Sequence, residues 1–444
     1  MVNRERLNRI LTLALPIMGG MTSQNVLNVV DSAMVSRLPA SETALAAVGY
    51  GGFSIFVSQA LLLGFSTSVQ ASASRRKGEG RGGEAAKFLN AALLIIALVA
   101  PLFVVVLFFR APSIFPYLSD DVAVIDQAVV YYQIRLFGIA FLAMNFAFRG
   151  YWNAMDLARY YLTTLVLMHA TNIFLNYVFI FGNLGAPALG TAGAGLATAI
   201  SLAVGSGIYT IIALRNARDH GFLAGLPPRQ DIKTLIKLTI PSGFQNLFFA
   251  AGFLCMLWII GQIGTAEAAS AHVLVNLTLV ALLPGMGLGL AAATLVGQAL
   301  GRRDPDDAEA WGYDVVKVSL VVVGLLGLPF AIAPEAILTT VYTLSPDVLN
   351  VTTWPLRIVG LSIALDAAGM VFMNSLLGAG DARRVMVVAA LFQWLVFLPG
   401  AFLIGPVMGW GILGIWVLQG VYRGLQAIVF FNFWRGRRWA AIKI

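Results

Sequence analysis

LALPIMGG at residues 13–20 returns as LTIPSGFQ at residues 238–245, and FRGYWNAMDLARY at residues 148–160 returns as MNSLLGAGDARRV at residues 373–385. Both pairs are separated by the same distance, 238 − 13 = 225 residues. With small shifts the likeness extends to two further pairs, RRKGEGRGGEAAKF with GRRDPDDAEAWGY and LGTAGAGLATAIS with MGWGILGIWVLQG. The second half of the chain therefore repeats the first, and one folding unit is used twice.

Each copy of the repeat consists mainly of apolar stretches. Hydrophobic residues make up 59% of the 444 and charged residues only 11%, whereas soluble domains carry roughly 25% charged residues. About twenty apolar residues in a helix cross a bilayer core of about 30 Å. The apolar runs predict twelve transmembrane helices, near residues 10–37, 45–72, 88–110, 124–149, 157–182, 189–213, 236–263, 272–299, 312–333, 351–377, 384–405 and 408–434.

The basic residues indicate the orientation of these helices. Lys and Arg cluster in alternate loops, as in Arg75, Arg76 and Lys77, and are scarce in the others. Cytoplasmic loops carry such an excess, which accounts for the net charge of +8 without a nucleic-acid partner. Twelve spans then place both termini in the cytoplasm. We expect a multi-pass monomer in the lipid bilayer of a bacterial or archaeal plasma (inner) membrane.

The repeat also predicts the domain organisation. Six spans per copy are an even number, so both copies enter the membrane from the same side and form parallel repeats. The predicted fold class is all-α integral membrane, with two six-helix lobes related by a pseudo-two-fold axis normal to the membrane. We place the N-lobe at residues 1–213, a cytoplasmic linker at 214–235 and the C-lobe at 236–444. Duplicated bundles of this kind favour a transporter over a passive receptor or channel.

A polar stripe runs along the apolar first helix. Gln24, Asn28 and Asp31 follow an i, i+4, i+7 spacing and lie on one helix face. A carboxylate near the bilayer centre costs at least about 2.5 kcal/mol. The repeat places the apolar Met256 at the position of Asp31, so packing does not require this carboxylate. We expect Asp31 to exchange protons or attract a cation, with a hydrogen-bonded packing role as the alternative.

Two other intramembrane positions carry side chains of interest. Asn172 and Asn176 are spaced i, i+4 on the fifth helix and present two amides on one face. Asp366 lies mid-way along the tenth helix, where the other repeat has Phe141. These residues are candidates for an ion or substrate site. Hydrogen bonding between helices is the alternative role of the two amides.

The order and spacing of five stretches resemble the multidrug and toxic compound extrusion (MATE) family over essentially the whole chain. These stretches are residues 13–38, 172–182, 190–201, 296–304 and 365–381. The resemblance implies a V-shaped, twelve-helix antiporter, not an enzyme, that has no cofactor. Such a protein expels cationic, amphipathic small molecules in exchange for H⁺ or Na⁺.

The resemblance also implies roles for individual residues. It assigns the key carboxylate of the first helix to Asp31 and joins it with Asn172, Asn176 and Thr198 in an N-lobe cation site, where Na⁺ is possible. Relatives carry an acidic residue at the position of Asn176. Because hard cations select negatively charged oxygen ligands, its absence here favours H⁺ over Na⁺.

The C-lobe departs from one branch of the family. Asp366 matches a carboxylate used for cation binding in the NorM-like branch. That branch also has a glutamate in the seventh helix, where this chain has Gln245 and Asn246. The chain therefore looks closer to the DinF-like branch.

Two alternatives, an ATP-driven pump and a transporter of anionic substrates, require sequence features that differ from those of this chain. An ATP-driven pump needs a phosphate loop ending in Gly-Lys-Ser/Thr, and no lysine here follows a glycine. A flippase for a lipid-linked saccharide is the alternative function. Its anionic substrate calls for Arg or Lys within the membrane, whereas the charges assigned to the helix interiors are Asp31 and Asp366. These two carboxylates favour a cationic substrate.

Overall fold

The chain is all-helical in a computed structural model that describes residues 2–39, 41–342 and 344–444. Short 3₁₀ and π-helical segments interrupt the α-helices, and no β-strand occurs in these three ranges. In chain order the α-helices are α1 Arg4–Val35, α2 Ser41–Ala60, α3 Leu63–Gly78, α4 Ala86–Ile114, α5 Val122–Leu136, α6 Ile139–Ala154, α7 Ala158–Phe181, α8 Gly190–Asn216, α9 Arg229–Gly261, α10 Thr265–Gly301, α11 Pro305–Ile332, α12 Pro334–Val341, α13 Pro346–Gly378, α14 Ala382–Leu391, α15 Leu398–Phe402 and α16 Gly411–Arg435.

Most of these helices are long and apolar enough to cross a membrane. Eleven segments of the described chain satisfy this criterion, with α2 and α3 together forming one of them, Ser41–Gly78. The pair α5 and α6, which meet at an angle of 50°, satisfies the criterion when taken together and brings the number to twelve if the two helices form one span. The predicted all-α membrane fold is confirmed, and the span predicted at 124–149 is this bent pair.

Residues 19–243 form the first compact unit. Within it α7 packs along α8, α3 on α6 and α2 on α5. The core contains Tyr151 and Trp152, both fully buried. Gly150 of α6 lies so close to α3 that a β-carbon would overlap the carbonyl oxygen of Ser66. Small residues allow this close approach of membrane helices.

Residues 1–18 and 244–444 form the second compact unit. Helix α13 packs against α10, α11 and α16. A β-carbon on Gly378 of α13 would overlap the carbonyl oxygen of Ala293 on α10. This contact corresponds in the repeat to that of α6 with α3, so the duplication is visible in the packing as well as in the sequence.

The first half of α1 is held in the second compact unit by charged side chains. Arg6 pairs with Asp307 at 2.8 Å and with Asp314 at 2.7 Å. Its guanidinium lies over the ring of Trp311, 3.8 Å from the centroid. Arg9 donates to the side-chain oxygen of Gln298 at 2.6 Å. These contacts fix the start of the chain against α10 and α11.

The compact units do not coincide with the predicted lobes. Residues 4–18 of α1 belong to the second unit, and residues 229–243 of α9 belong to the first. The first helix of each repeat is therefore shared between the units, and each changes unit just after a proline, Pro16 or Pro241. The non-helical connection between α8 and α9, residues 217–228, is also shorter than the linker of 214–235 assigned from the sequence.

Candidate functional site

Polar side chains from α1, α7 and α8 meet inside the first compact unit. We call the group formed by Asp31, Asn172, Asn176, Thr198 and Ser201 the N-unit cluster. Asn172 and Asn176 are completely buried on α7, where their four-residue spacing places both amides on one helix face. Buried amides of this kind need hydrogen-bond partners, and the cluster supplies them to both amide nitrogens.

A continuous chain of hydrogen bonds connects the cluster. The Asn176 amide nitrogen donates to Asp31 Oδ1 at 2.6 Å and lies 3.1 Å from Asn172 Oδ1. The Asn172 amide nitrogen donates in turn to Thr198 Oγ1 at 3.2 Å, and it lies 3.5 Å from Ser201 Oγ. The carboxylate of α1 is thus tied to α8 through two amides of α7.

The oxygen atoms of the cluster determine which ion it can hold. Asn176 Oδ1 is buried and has no hydrogen-bond partner in the described part of the chain. The described residues contain no group of three or more His, Cys, Asp or Glu side chains arranged for a metal ion. The cluster therefore offers one carboxylate and neutral oxygens. Hard cations bind carboxylate and amide carbonyl oxygens, and a carboxylate also binds a proton, so this set of oxygen atoms is open to both kinds of ion.

Gln24 and Asn28, the first two residues of the polar stripe on α1, belong to a neighbouring hydrogen-bonded group. Gln24 donates to Asn28 Oδ1 at 3.3 Å, and both side chains are exposed. Gln24 Oε1 also lies 3.3 Å from His169 Nε2, while Ser23 Oγ lies 2.7 Å from His169 Nδ1. His169 is therefore anchored to α1 through both ring nitrogens, one turn of α7 before Asn172.

Asp366 lies in the second compact unit, where it faces an arginine. Its Oδ1 is 3.7 Å from Nε of Arg423 on α16. The guanidinium of Arg423 also lies over the rings of Phe249 and Tyr422, at 5.7 and 5.2 Å from their centroids. Asp366 is thus an ion-paired carboxylate beside aromatic rings.

Comparison with known families agrees with the fold and the repeat. The MatE family model matches residues 16–178 and again residues 241–403, one match in each half. The chain belongs to the MATE family. It is 26% identical to the probable multidrug resistance protein NorM of Thermotoga maritima over 438 residues, which cover 95% of this chain and 91% of the relative.

Further relatives and solved structures extend this result. The chain is 25% identical to the multidrug resistance protein MdtK of Yersinia enterocolitica, covering 92% of this chain and 90% of the relative. A MOP superfamily transporter from Pyrococcus furiosus superimposes with a TM-score of 0.87 at 22% identity, over 97% of this chain and 95% of that one. At such identity the superposition shows the fold alone, which is that of MATE transporters.

The structure of this MATE protein brings together some of the predicted site residues and separates others. Asp31, Asn172, Asn176 and Thr198 share one hydrogen-bonded chain, and Gln24 and Asn28 form the adjacent group. Asp366 belongs to the other compact unit and has a basic partner that the sequence reasoning did not assign to it. Ser201 was also missed, although it stands three residues after Thr198 in GTAGAGLATAIS and so shares its helix face.

Proposed function

We propose that this MATE protein is a secondary active multidrug efflux transporter that exchanges organic cations or amphipathic toxic compounds for H⁺, with Na⁺ as the second candidate. It acts as a monomeric transporter rather than an enzyme and needs no cofactor. We place it in the DinF-like branch and in a bacterial or archaeal plasma membrane, with both termini in the cytoplasm. The NorM and MdtK relatives, which are multidrug resistance proteins, support drug export.

The observation that carries the proposal is the contact between Asp31 and Asn176. A donor 2.6 Å from Asp31 Oδ1 stabilises the ionised carboxylate. Protonation removes the negative charge and weakens this contact, because a neutral carboxyl oxygen is a poorer acceptor than a carboxylate oxygen. Protonation of Asp31 thereby loosens the attachment of α1 to α7, and one residue couples ion binding to helix position.

The same carboxylate accounts for exchange. An ionised Asp31 attracts a cation, whereas a protonated Asp31 does not, so proton uptake and cation binding exclude each other at this residue. Ion gradients supply about 2.3 kcal/mol per charge for each 100 mV of membrane potential. Alternate occupation by H⁺ and by a cationic drug is what antiport requires.

Asp31→Asn tests this mechanism because it preserves shape and removes the titrating group. We expect the purified variant to unfold at the temperature of the unmodified protein but to lose dye efflux driven by an imposed pH gradient in Na⁺-free proteoliposomes. Asp120→Asn, the same change at an exposed loop position, should transport normally. Undiminished efflux by Asp31→Asn would contradict the proposal.

Two extensions of this assay address the coupling ion and the substrate. Transport that collapses without Na⁺ and returns when Na⁺ is added would identify Na⁺ as the coupling ion instead of H⁺. A flippase for a lipid-linked saccharide is not favoured by the multidrug relatives. Competition by lipid-linked sugars, with none by cationic dyes, would reverse that preference.

A further inference from the structure

The segment that follows α16, residues 436–444, folds back onto the end of that helix, and we call it the tail. Its backbone turns at Arg437, which has a left-handed φ of 53°. Trp439 then stacks on Trp434 of α16, with ring centroids 4.1 Å apart and an interplanar angle of 8°. Its indole nitrogen donates to the carbonyl oxygen of Trp434 at 2.7 Å. Both indoles are completely buried, so the tail is a fixed part of the second compact unit.

Contacts with two other helices hold the tail at this place. Arg437 forms salt bridges with Asp306 and Glu309 near the start of α11. The last residue of the tail packs on the connection between α13 and α14, where a β-carbon on Gly380 would lie 2.6 Å from Cδ1 of Ile444. The tail therefore lies across neighbouring helix ends on one side of the unit.

This side of the unit carries an excess of positive charge. Residues 382–444 contain seven Arg and Lys residues and no Asp or Glu. Asp381, just before them, already pairs with Arg384 at 3.1 Å. Four of the basic side chains are exposed and form no salt bridge with a described residue, and these are Arg383, Arg435, Arg438 and Lys443. Their charges are available to an anion from outside the protein.

The surface of α16 indicates which kind of anion this is. Val421, Leu425 and Ile428 are exposed, and their spacing of four and three residues places them on one helix face. The same spacing continues through Asn432 to Arg435, which are also exposed. An exposed apolar stripe on a membrane helix contacts lipid acyl chains, and a basic side chain at the helix end lies among the headgroups. The face thus suits a molecule with an apolar chain and a negative head.

From this arrangement we propose that the tail and α16 bind an anionic phospholipid, with its headgroup at the exposed cations around Arg435 and Arg438 and one acyl chain along the stripe. A free phosphate has the charge but no chain to lie on the stripe. A zwitterionic phospholipid has the chains but no net charge to balance the cations. The inference goes beyond the proposed efflux function, and it holds for any substrate or coupling ion.

Lipid binding to the purified full-length protein in detergent tests the inference. Native mass spectrometry measures the affinity for the first bound dioleoyl phosphatidylglycerol, which is anionic, and for dioleoyl phosphatidylcholine, which has the same acyl chains but is zwitterionic. Each basic residue near an anionic lipid strengthens binding about fivefold. Two arginines should therefore favour phosphatidylglycerol about twenty-fivefold. Inorganic phosphate at the same concentration as the lipid should not displace it.

Substitutions separate the contribution of the charges from that of the apolar stripe. Arg435→Gln combined with Arg438→Gln should remove most of the preference for phosphatidylglycerol and leave the affinity for phosphatidylcholine unchanged. Arg81→Gln combined with Lys87→Gln removes the same number of charges from salt bridges of the first compact unit, and it should leave both affinities unchanged. Ile428→Ala should weaken the two lipids to the same extent.

Three results would overturn the inference. One is equal affinity of the unmodified protein for the two lipids, which decides the question even if no variant folds. Another is retention of the full preference by a folded protein that carries both Arg435→Gln and Arg438→Gln. The third is displacement of phosphatidylglycerol by an equal concentration of inorganic phosphate, which would identify a phosphate site instead of a lipid site. Because no transport is measured, Asp31→Asn should retain the lipid preference whether or not the proposed function is correct.

Discussion

Asn176→Asp should convert the N-unit cluster from a proton site into a site that responds to Na⁺. The substitution replaces the amide that donates to Asp31 Oδ1 at 2.6 Å with a second carboxylate. Two unit charges about 4 Å apart repel by about 4 kcal/mol at an effective dielectric constant of about 20. A cation between them removes this repulsion, which corresponds to an affinity gain of up to about a thousandfold.

Efflux of a cationic dye from proteoliposomes measures the change. The unmodified protein should transport equally well in Na⁺-free buffer and in NaCl. The variant should be stimulated by Na⁺ at about pH 8, where a proton is least available to neutralise the carboxylate pair. Asn183→Asp introduces the same charge just beyond the end of α7, away from the cluster, and should not produce Na⁺ stimulation.

Two results would refute this reasoning. Na⁺ dependence of the unmodified protein would mean that one carboxylate with neutral oxygens is already sufficient. A folded, active Asn176→Asp protein that ignores Na⁺ would mean that coupling does not pass through the contact between α1 and α7. Unfolding temperatures of both variants distinguish these results from simple loss of the fold.

Three further substitutions test the packing and the charge networks through unfolding temperatures in detergent. Arg6→Ala should destabilise the protein by about 2 kcal/mol because it leaves Asp307 and Asp314 without this partner, whereas Lys317→Ala, at an exposed ion pair, should cost less than about 0.5 kcal/mol. Gly150→Ala should lower stability by about 1–3 kcal/mol through overlap with Ser66, whereas Gly207→Ala, with open space around its β-carbon, should raise it by up to about 1 kcal/mol. Burial lowers the pKa of His220 below its ordinary value, and the Nδ1 atom of His220 lies 2.7 Å from the Tyr151 hydroxyl. As the pH falls, the unfolded chain therefore binds a proton at His220 before the folded protein does, and the stability of the fold should decrease below about pH 6.5. His220→Gln should make this decrease smaller.

The helices could be predicted because the bilayer imposes a long apolar run on every span. The ends of the helices could not be predicted in this way. A helix can extend beyond the bilayer into water, where its residues need not be apolar and hydropathy gives no signal. Helix α9 begins at Arg229 rather than near residue 236. Hydropathy does not detect its first turns because they include the charged Asp231 and Lys233. Similarly, α10 begins at Thr265 and includes Glu267 before the apolar run.

The candidate site could be predicted from the sequence only in part. Residues on one helix, such as Asn172 and Asn176, reveal a shared face through their spacing. Contacts between helices carry no such signal in a single sequence, so the donation from Asn176 to Asp31 and the pairing of Asp366 with Arg423 had to come from the structure. The π-helical segment Phe392–Phe397 likewise follows from no spacing rule, although it positions Gln393.

The pair formed by Asp366 and Arg423 changes the inference about substrate charge. The sequence predicted a cationic substrate from two intramembrane carboxylates, Asp31 and Asp366. In the structure Asp366 is paired with Arg423, so the prediction now depends on Asp31 alone. Both repeats thus keep a close contact between corresponding helices, α3 with α6 and α10 with α13, through glycines at different repeat positions, while their chemistry has diverged. One unit holds an acidic residue suited to an ion, and the other holds a neutral charge pair among aromatic rings. Competition between H⁺ and a cation is therefore expected at Asp31 and not at Asp366, whose charge Arg423 balances.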